Sequence, residues 1–125
     1  MKIADRFAPF KDVGRILLVQ LGDIGDVVWS TPTFRAVKDH YGIPVSVLVR
    51  EGSGALLTAD PSIGSVFEVP ARPPNFVQGA LNQAALIRSL RGEHFDLVFD
   101  LRSDDRGAIM TFLTGAPRRA SLYYE

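Results

Sequence analysis

The sequence predicts an α/β fold, an open and mainly parallel sheet with helices on both of its faces. Short apolar runs alternate along the chain with longer segments in which apolar residues recur at helical spacing, which is typical of parallel strands joined by helices. The first run, residues 15–21 (RILLVQL), is almost continuously apolar, as expected of a strand buried on both faces. Right-handed crossovers then distribute the helices over the sheet.

Glycine, proline or polar turns separate the predicted elements. We expect strands over residues 15–21, 44–50, 65–69, 95–101 and 119–124. We expect helices over residues 26–41, 52–59, 76–90 and 107–114, with a loop over residues 71–75. Pro32 lies inside the first long helical pattern, so it either kinks that helix or occupies a first turn capped by Ser30 or Thr31.

The composition indicates one globular domain and excludes several classes of protein. The 125 residues fit one domain, here residues 15–125 after a lead-in over residues 1–14. With 14 basic and 14 acidic residues, the chain lacks the positive field of a nucleic-acid-binding domain. It has no cysteine and 2 histidines, which argues against disulfides, a thiolate nucleophile and a Cys or His metal site.

The expected location is cytoplasmic. No apolar run in the sequence reaches the length that spans a bilayer. The first residues carry charges of both signs and no apolar core of a secretory signal.

Two polar loops follow predicted strands, over residues 22–26 and 102–106. In open parallel sheets, ligands bind at the carboxyl ends of strands where the strand order reverses. The first loop has two glycines and two carboxylates, Asp23 and Asp26, whereas a dinucleotide site needs G-x-G-x-x-G and no carboxylate facing the pyrophosphate. It lacks the G-K-[ST] of a P-loop as well. A phosphorelay receiver is disfavoured too, because Asp100 has no adjacent acidic pair after the first strand and no lysine follows Lys38.

A further pattern fits the sequence better than a dinucleotide site, a P-loop or a phosphorelay receiver. Residues 15–42 (RILLVQLGDIGDVVWSTPTFRAVKDHYG) resemble the opening of the heptosyltransferases, glycosyltransferase family 9, in which an apolar strand, a turn ending in Gly-Asp-Val and a Thr/Leu-Pro helix follow one another. Residues 60–69 (DPSIGSVFEV) and 95–119 (FDLVFDLRSDDRGAIMTFLTGAPRR) resemble later segments of the family. The resemblance covers roughly residues 15–120.

The chain departs from this pattern at three places. Gln20 stands where family members often carry a basic residue. Asp104 and Asp105 lie in a loop that commonly holds glycine or serine. The segment after Arg119 lacks a glycine often found there. These departures concern the acceptor more than the fold.

The resemblance implies a GT-B architecture of two Rossmann-like domains. Residues 15–125 would be the acceptor-binding domain, truncated before the domain that binds the nucleotide-sugar donor. The implied activity of the full-length parent is inverting transfer of heptose, or a related sugar, from a donor such as ADP-heptose to an anionic glycolipid acceptor of the lipopolysaccharide-core type. No cofactor and no nucleic acid would take part. We expect the fragment alone to be inactive and to self-associate, and the parent to contact the inner face of the cytoplasmic membrane.

By the same resemblance, Asp26 of the Gly-Asp-Val turn is the general base that takes the proton of the acceptor hydroxyl. The alternative is purely structural, because aspartate is a favoured helix N-cap and is stabilised by the helix dipole. The predicted substrate-binding residues are Gly25, Asp23, Thr31, Arg102 and Arg106.

Each polar substrate-binding candidate also has a structural alternative. Asp23 could serve the turn backbone and Thr31 could cap the helix, while the two arginines could pair with acidic residues of their own loop. Trp29 is expected in the core or in a groove wall. No metal ligand is predicted. The alternative function is a non-catalytic α/β module that binds an anionic metabolite or a protein partner.

Overall fold

The computed structural model describes residues 14–69, 75–101 and 105–121. The strands are β1 (Ile16–Gln20), β2 (Val45–Arg50), β3 (Ile63–Val69), β4 (Leu97–Asp100) and β5 (Arg118–Ser121). The helices are α1 (Ile24–Tyr41), α2 (Phe76–Gly92) and α3 (Asp105–Leu113), with a 3₁₀ turn at Gly54–Leu56. Most of the predicted lead-in, most of the predicted 71–75 loop and the last residues of the predicted final strand lie outside the described residues.

The strands form one parallel sheet in the order β3-β2-β1-β4-β5. From β1 the chain proceeds outward to β2 and β3, then returns past β1 to β4 and β5 on the other side. The strand order therefore reverses between β1 and β4, which pair with Val19 opposite Asp100. The predicted open, parallel sheet is confirmed.

Helices cover both faces of this sheet, as predicted. Successive side chains of a strand point to opposite faces, and in β1 all of them are apolar until the last residue. Leu18 belongs to the buried cluster that α1 completes with Phe34. Leu17 belongs to the cluster on the other face, with Leu90 of α2 and Met110 of α3. These five side chains are at most 2% exposed, and burying each one contributes about 1.5–3 kcal/mol.

We predicted that the first helix begins at Asp26, but it begins at Ile24. Its N-cap is Asp23, whose backbone is extended and whose side chain accepts a hydrogen bond from the backbone N–H of Asp26. Asp26 is therefore the third residue of α1, and the interpretation of Asp26 as an N-cap is wrong. The helix ends at Gly42, which has the left-handed backbone (φ 71°) that favours glycine.

Pro32 lies in the interior of α1 and not in its first turn. Proline has no N–H, so the carbonyl four residues earlier, that of Val28, loses its helical donor. The hydroxyl of Thr31 donates to this carbonyl instead, at 2.8 Å. The hydroxyl of Ser30 donates in the same way to the carbonyl of Asp26, at 2.8 Å. Two side-chain hydroxyls therefore support the helix around the proline.

The predicted helix over residues 52–59 is reduced to the 3₁₀ turn. Gly52 has a left-handed backbone (φ 92°), and the N–H groups of Gly52 and Gly54 donate to a carboxylate oxygen of Glu68 at 2.7 and 3.3 Å. Because these N–H groups bond to a side chain of the neighbouring strand, the loop is held without a longer helix.

A carboxylate joins the beginnings of β1 and β4 at the amino edge of the sheet. One oxygen of Asp96 accepts from the backbone N–H groups of Gly14 and Arg15, at 2.8 and 2.9 Å. The guanidinium of Arg15 also pairs with Glu93 at 2.8 Å. These contacts bridge residues about 80 positions apart in the sequence.

Candidate active site

The candidate site lies at the carboxyl ends of β1 and β4, where the strand order reverses. Such a reversal opens a crevice, because the loops after the two strands lead to helices on opposite faces of the sheet. Here the loop after β1 leads to α1 and the loop after β4 leads to α3. The last residues of the two strands, Gln20 and Asp100, are polar and at most 4% exposed. Polar side chains therefore replace the apolar core at this point.

Asp23 and Asp26 form a capping box at the start of α1. The backbone N–H of Asp26 donates to Oδ1 of Asp23 at 3.1 Å. In return, the backbone N–H of Asp23 donates to Oδ2 of Asp26 at 3.3 Å. Asp23 is exposed and Asp26 is half-buried, so neither residue is enclosed in the core.

The carboxylate of Asp26 lies directly against the backbone of Gly22. A Cβ atom at position 22 would meet the Cβ and Cγ atoms of Asp26 at 2.6 and 2.8 Å, closer than real side chains approach. Glycine is thus required at this position by the neighbouring carboxylate and not by its own backbone angles. Gly25 differs, since a Cβ there would lie 3.4 Å from Asp23, an ordinary contact. Its predicted role in substrate binding stays a prediction.

A buried hydrogen-bond chain joins the end of β1 to the second turn of α1. The side chain of Gln20 accepts from the backbone N–H of Gly22 at 3.1 Å and donates to the hydroxyl of Ser30 at 2.7 Å. The hydroxyl of Ser30 in turn donates a hydrogen bond to the backbone carbonyl of Asp26. We did not predict these hydrogen bonds from the sequence. The feature of the sequence that points to them is a polar residue, Gln20, at the end of an otherwise apolar strand.

The structure describes the other predicted binding residues only in part. Thr31 is half-buried, and its hydroxyl proton serves the carbonyl of Val28. Its oxygen can still accept from a ligand, so its binding role stays a prediction. Arg102 lies outside the described residues. Arg106 belongs to the first turn of α3, which begins beside the crevice, but its side chain lies outside the described part.

Several large apolar side chains lie exposed at the surface. Trp29 in the second turn of α1 is 84% exposed, so the expectation that it lies in the core is wrong. Phe76 at the start of α2 is 90% exposed. The other large apolar side chains that are exposed among the described residues are Ile24, Val28, Leu56, Val77, Leu81, Ile109 and Phe112. All three helices that follow the carboxyl ends of strands therefore carry exposed apolar side chains.

The described residues hold neither a candidate metal centre nor a membrane-spanning helix. No group of three or more His, Asp or Glu side chains in residues 14–69, 75–101 and 105–121 could hold a metal ion. Among the helices of the same ranges, none is both long enough and apolar enough to cross a membrane.

Solved structures share this fold. The chain aligns with E. coli ADP-heptose lps heptosyltransferase II at a TM-score of 0.68 and 20% identity, over 86% of this chain and 30% of that one. It aligns with the glycosyl transferase family 9 protein from Veillonella parvula at a TM-score of 0.71 and 15% identity, over 89% and 36% of the two chains. For E. coli heptosyltransferase WaaC with ADP-2-deoxy-2-fluoro heptose, these values are 0.73 and 19%, over 86% and 36%.

The chain resembles the heptosyltransferases. At these identities the likeness establishes a glycosyltransferase-like fold, and the chain spans 30–36% of the length of these structures. No protein-family model and no curated protein sequence matches the chain. The resemblance expected from the Gly-Asp-Val turn and the Thr-Pro helix is confirmed at the level of the fold.

Proposed function

We propose that the chain is the acceptor-binding part of an inverting glycosyltransferase of the heptosyltransferase kind. The likeness to heptosyltransferases over 86–87% of the chain supports this most directly. The donor, a nucleotide-sugar such as ADP-heptose, binds mainly to a second domain. Two structures of E. coli heptosyltransferase WaaC hold ADP or an ADP-heptose analogue, and they suggest this class of donor. The acceptor is an anionic glycolipid of the lipopolysaccharide-core type.

The position of Asp26 supports its role as the general base. It is half-buried, it lies in the first turn of α1, and it borders the crevice at the reversal of strand order. In the proposed step its carboxylate takes the proton of the acceptor hydroxyl, whose oxygen forms the new bond to the anomeric carbon. The bond from that carbon to the diphosphate oxygen breaks on the opposite face, so the configuration inverts. Asp23, Gly25, Thr31, Arg102 and Arg106 bind the acceptor around this carboxylate.

The surroundings of the site suit a lipid-linked acceptor. Trp29, on the same helix as Asp26, is 84% exposed, and Phe76 is 90% exposed at the start of α2, which follows the carboxyl end of β3. We propose that the parent protein works in the cytoplasm, in peripheral contact with the inner face of the cytoplasmic membrane. No cofactor and no metal ion is needed for the proposed displacement, and nucleic acid takes no part.

The test is a transfer assay with the full-length gene product and with the 125-residue chain alone. We expect the gene product to transfer heptose from ADP-heptose to a deacylated lipopolysaccharide-core acceptor, with inversion detected by NMR of the product. The chain alone should bind the acceptor but transfer nothing. A gene product that ends at residue 125 and binds only a small anion or a protein would contradict the proposal, and would favour the non-catalytic module.

A further inference from the structure

We infer that Gln20 and Ser30 are positioning residues that hold the Asp26 carboxylate in its working place. The inference rests on the proposed role of Asp26 as general base. The polar side-chain atoms of both residues bond within the protein, to each other and to the backbone of Gly22 and Asp26. They act through the backbone on both sides of the loop that carries Asp23 and Asp26.

Both residues are polar at positions that the fold otherwise fills with apolar side chains. Gln20 is 4% exposed, whereas the four preceding residues of β1 are apolar and at most 1% exposed. Ser30 is 9% exposed and shares the buried face of α1 with Val27, Phe34 and Val37. A buried amide is costly unless its hydrogen bonds are made, and here both ends of the amide are bonded.

The chain of bonds fixes the two backbone groups on which the place of the carboxylate depends. Its first end holds the N–H of Gly22 at 3.1 Å. Its other end, the hydroxyl of Ser30, holds the carbonyl of Asp26 at 2.8 Å. The Asp26 side chain packs directly on Gly22. A shift of Gly22 relative to the first turn of α1 would therefore displace the Asp26 carboxylate.

A role in stability alone predicts different behaviour. In such a role, the loss of one partner leaves the other buried polar group unpaired, which lowers folding stability and leaves the turnover of the folded enzyme unchanged. A positioning role predicts instead a loss of turnover, since misplacing a reacting group by about 1 Å can cost about a hundredfold in rate. The two roles therefore separate when stability and turnover are measured on the same variants.

The test compares three serine variants in the full-length gene product. Ser30→Ala removes the link, and Ser30→Thr keeps the hydroxyl. Ser89→Ala is the matched control, because the Ser89 hydroxyl also donates to the carbonyl four residues earlier, at 3.1 Å, but on the exposed side of α2. We measure kcat and KM for heptose transfer, the melting temperature, and the hydrogen exchange of residues 21–26 by mass spectrometry. Gln20→Met is the second route to the same break, should Ser30→Ala fail to fold.

We expect Ser30→Ala to lower kcat by about tenfold to a hundredfold with KM within about twofold of the parent value. Exchange of residues 21–26 should rise about tenfold, as for the loss of one hydrogen bond. Ser30→Thr should restore most of kcat, and Ser89→Ala should leave it unchanged.

Parental kcat in both Ser30→Ala and Gln20→Met would overturn the inference, as would a fall that Ser89→Ala reproduces or that Ser30→Thr does not restore. The proposed function is tested separately by Asp26→Asn. If that variant keeps full turnover, the assignment of Asp26 as base fails. If Asp26→Asn is inactive while Ser30→Ala is fully active, only the positioning inference fails.

Discussion

Asparagine at position 26 separates the proposed proton transfer from the structural work of the same side chain. In the capping box, Oδ2 of Asp26 accepts from the N–H of Asp23 at 3.3 Å, and an amide oxygen can do the same. Asparagine also fits the space against Gly22, since it has the shape of aspartate. What it cannot do is take a proton at neutral pH.

The expected loss in kcat follows from the role of a positioned base. Removing one costs about a hundredfold or more, which is about 2.7 kcal/mol of transition-state stabilisation. The loss in folding stability is smaller. Removing a charge from an exposed helix N-terminus costs about 0.3–1 kcal/mol, and the bond at 3.3 Å is kept.

Alanine at the same position gives the structural comparison. Asp26→Ala loses both the charge and the bond to Asp23, but the N–H of Asp23 is exposed and water can replace the lost acceptor. We therefore expect no more than about 1 kcal/mol of destabilisation. The true N-cap is Asp23, so Asp23→Ala should cost about 1 kcal/mol. A change of this size shifts the melting temperature of a domain of 125 residues by roughly 4 °C.

The assay pairs initial rates of heptose transfer with thermal melting for each variant of the full-length gene product. Asp60→Asn is the matched control, because Asp60 accepts from the N–H of Ser62 at 2.9 Å just before β3, at the opposite edge of the sheet. It should keep full turnover. An Asp26→Asn variant with parental kcat and a normal melting curve would refute the reasoning and leave Asp23 as the next candidate for the base.

Three further predictions follow from individual residues and surfaces. Gly22→Ala should displace the Asp26 carboxylate and destabilise the fold, whereas Gly92→Ala, where a Cβ meets nothing within 4 Å, should be stabilising by about 0.5–1 kcal/mol; equal urea midpoints for the two variants would contradict this. Burial raises the pKa of Tyr41 above its ordinary value of 10.0, although Arg118 lowers it in part. The folded state therefore holds the Tyr41 proton more tightly than the unfolded state, and the stability that this difference contributes is complete below pH 10 and is lost as the pH rises through the folded-state pKa. Urea midpoints from pH 8 to 12 should fall more for the parent chain than for Tyr41→Phe. Parallel midpoint curves for the two proteins would contradict the raised pKa of Tyr41. The isolated chain should self-associate through its exposed apolar side chains, and a single monomer species at all concentrations in sedimentation velocity would disprove this.

The sheet and its two helical faces could be predicted because each depends on a local pattern. The apolar run of β1 alone indicates a strand buried on both sides. The start of α1 was placed at Asp26, yet the spacing of Asp23 and Asp26 is that of a capping box, and this spacing could have placed the N-cap correctly.

The hydrogen-bond chain through Gln20 and Ser30 could not be predicted in this way. It joins residues 10 positions apart across a turn, so it depends on how α1 packs on the sheet and not on any local period. For Trp29, only the core half of the expectation is wrong, and for a different reason. Its apolar character favours the core, but Trp29 lies two residues, about 200° around the helix, after Val27 of the buried face. The helical spacing itself could therefore have placed it at the surface, where it is 84% exposed.

The strand order has a consequence for how the chain folds. Strands β1, β2 and β3 are consecutive in the sequence and neighbours in the sheet, so they close short loops and can pair early. The pairing of β1 with β4 joins residues about 80 positions apart, as do the bonds of Asp96 to Gly14 and Arg15, and long loops close slowly. The crevice beside Asp26 exists only after this pairing. Acceptor binding should therefore be among the last properties to return on refolding, after most of the helical signal has recovered.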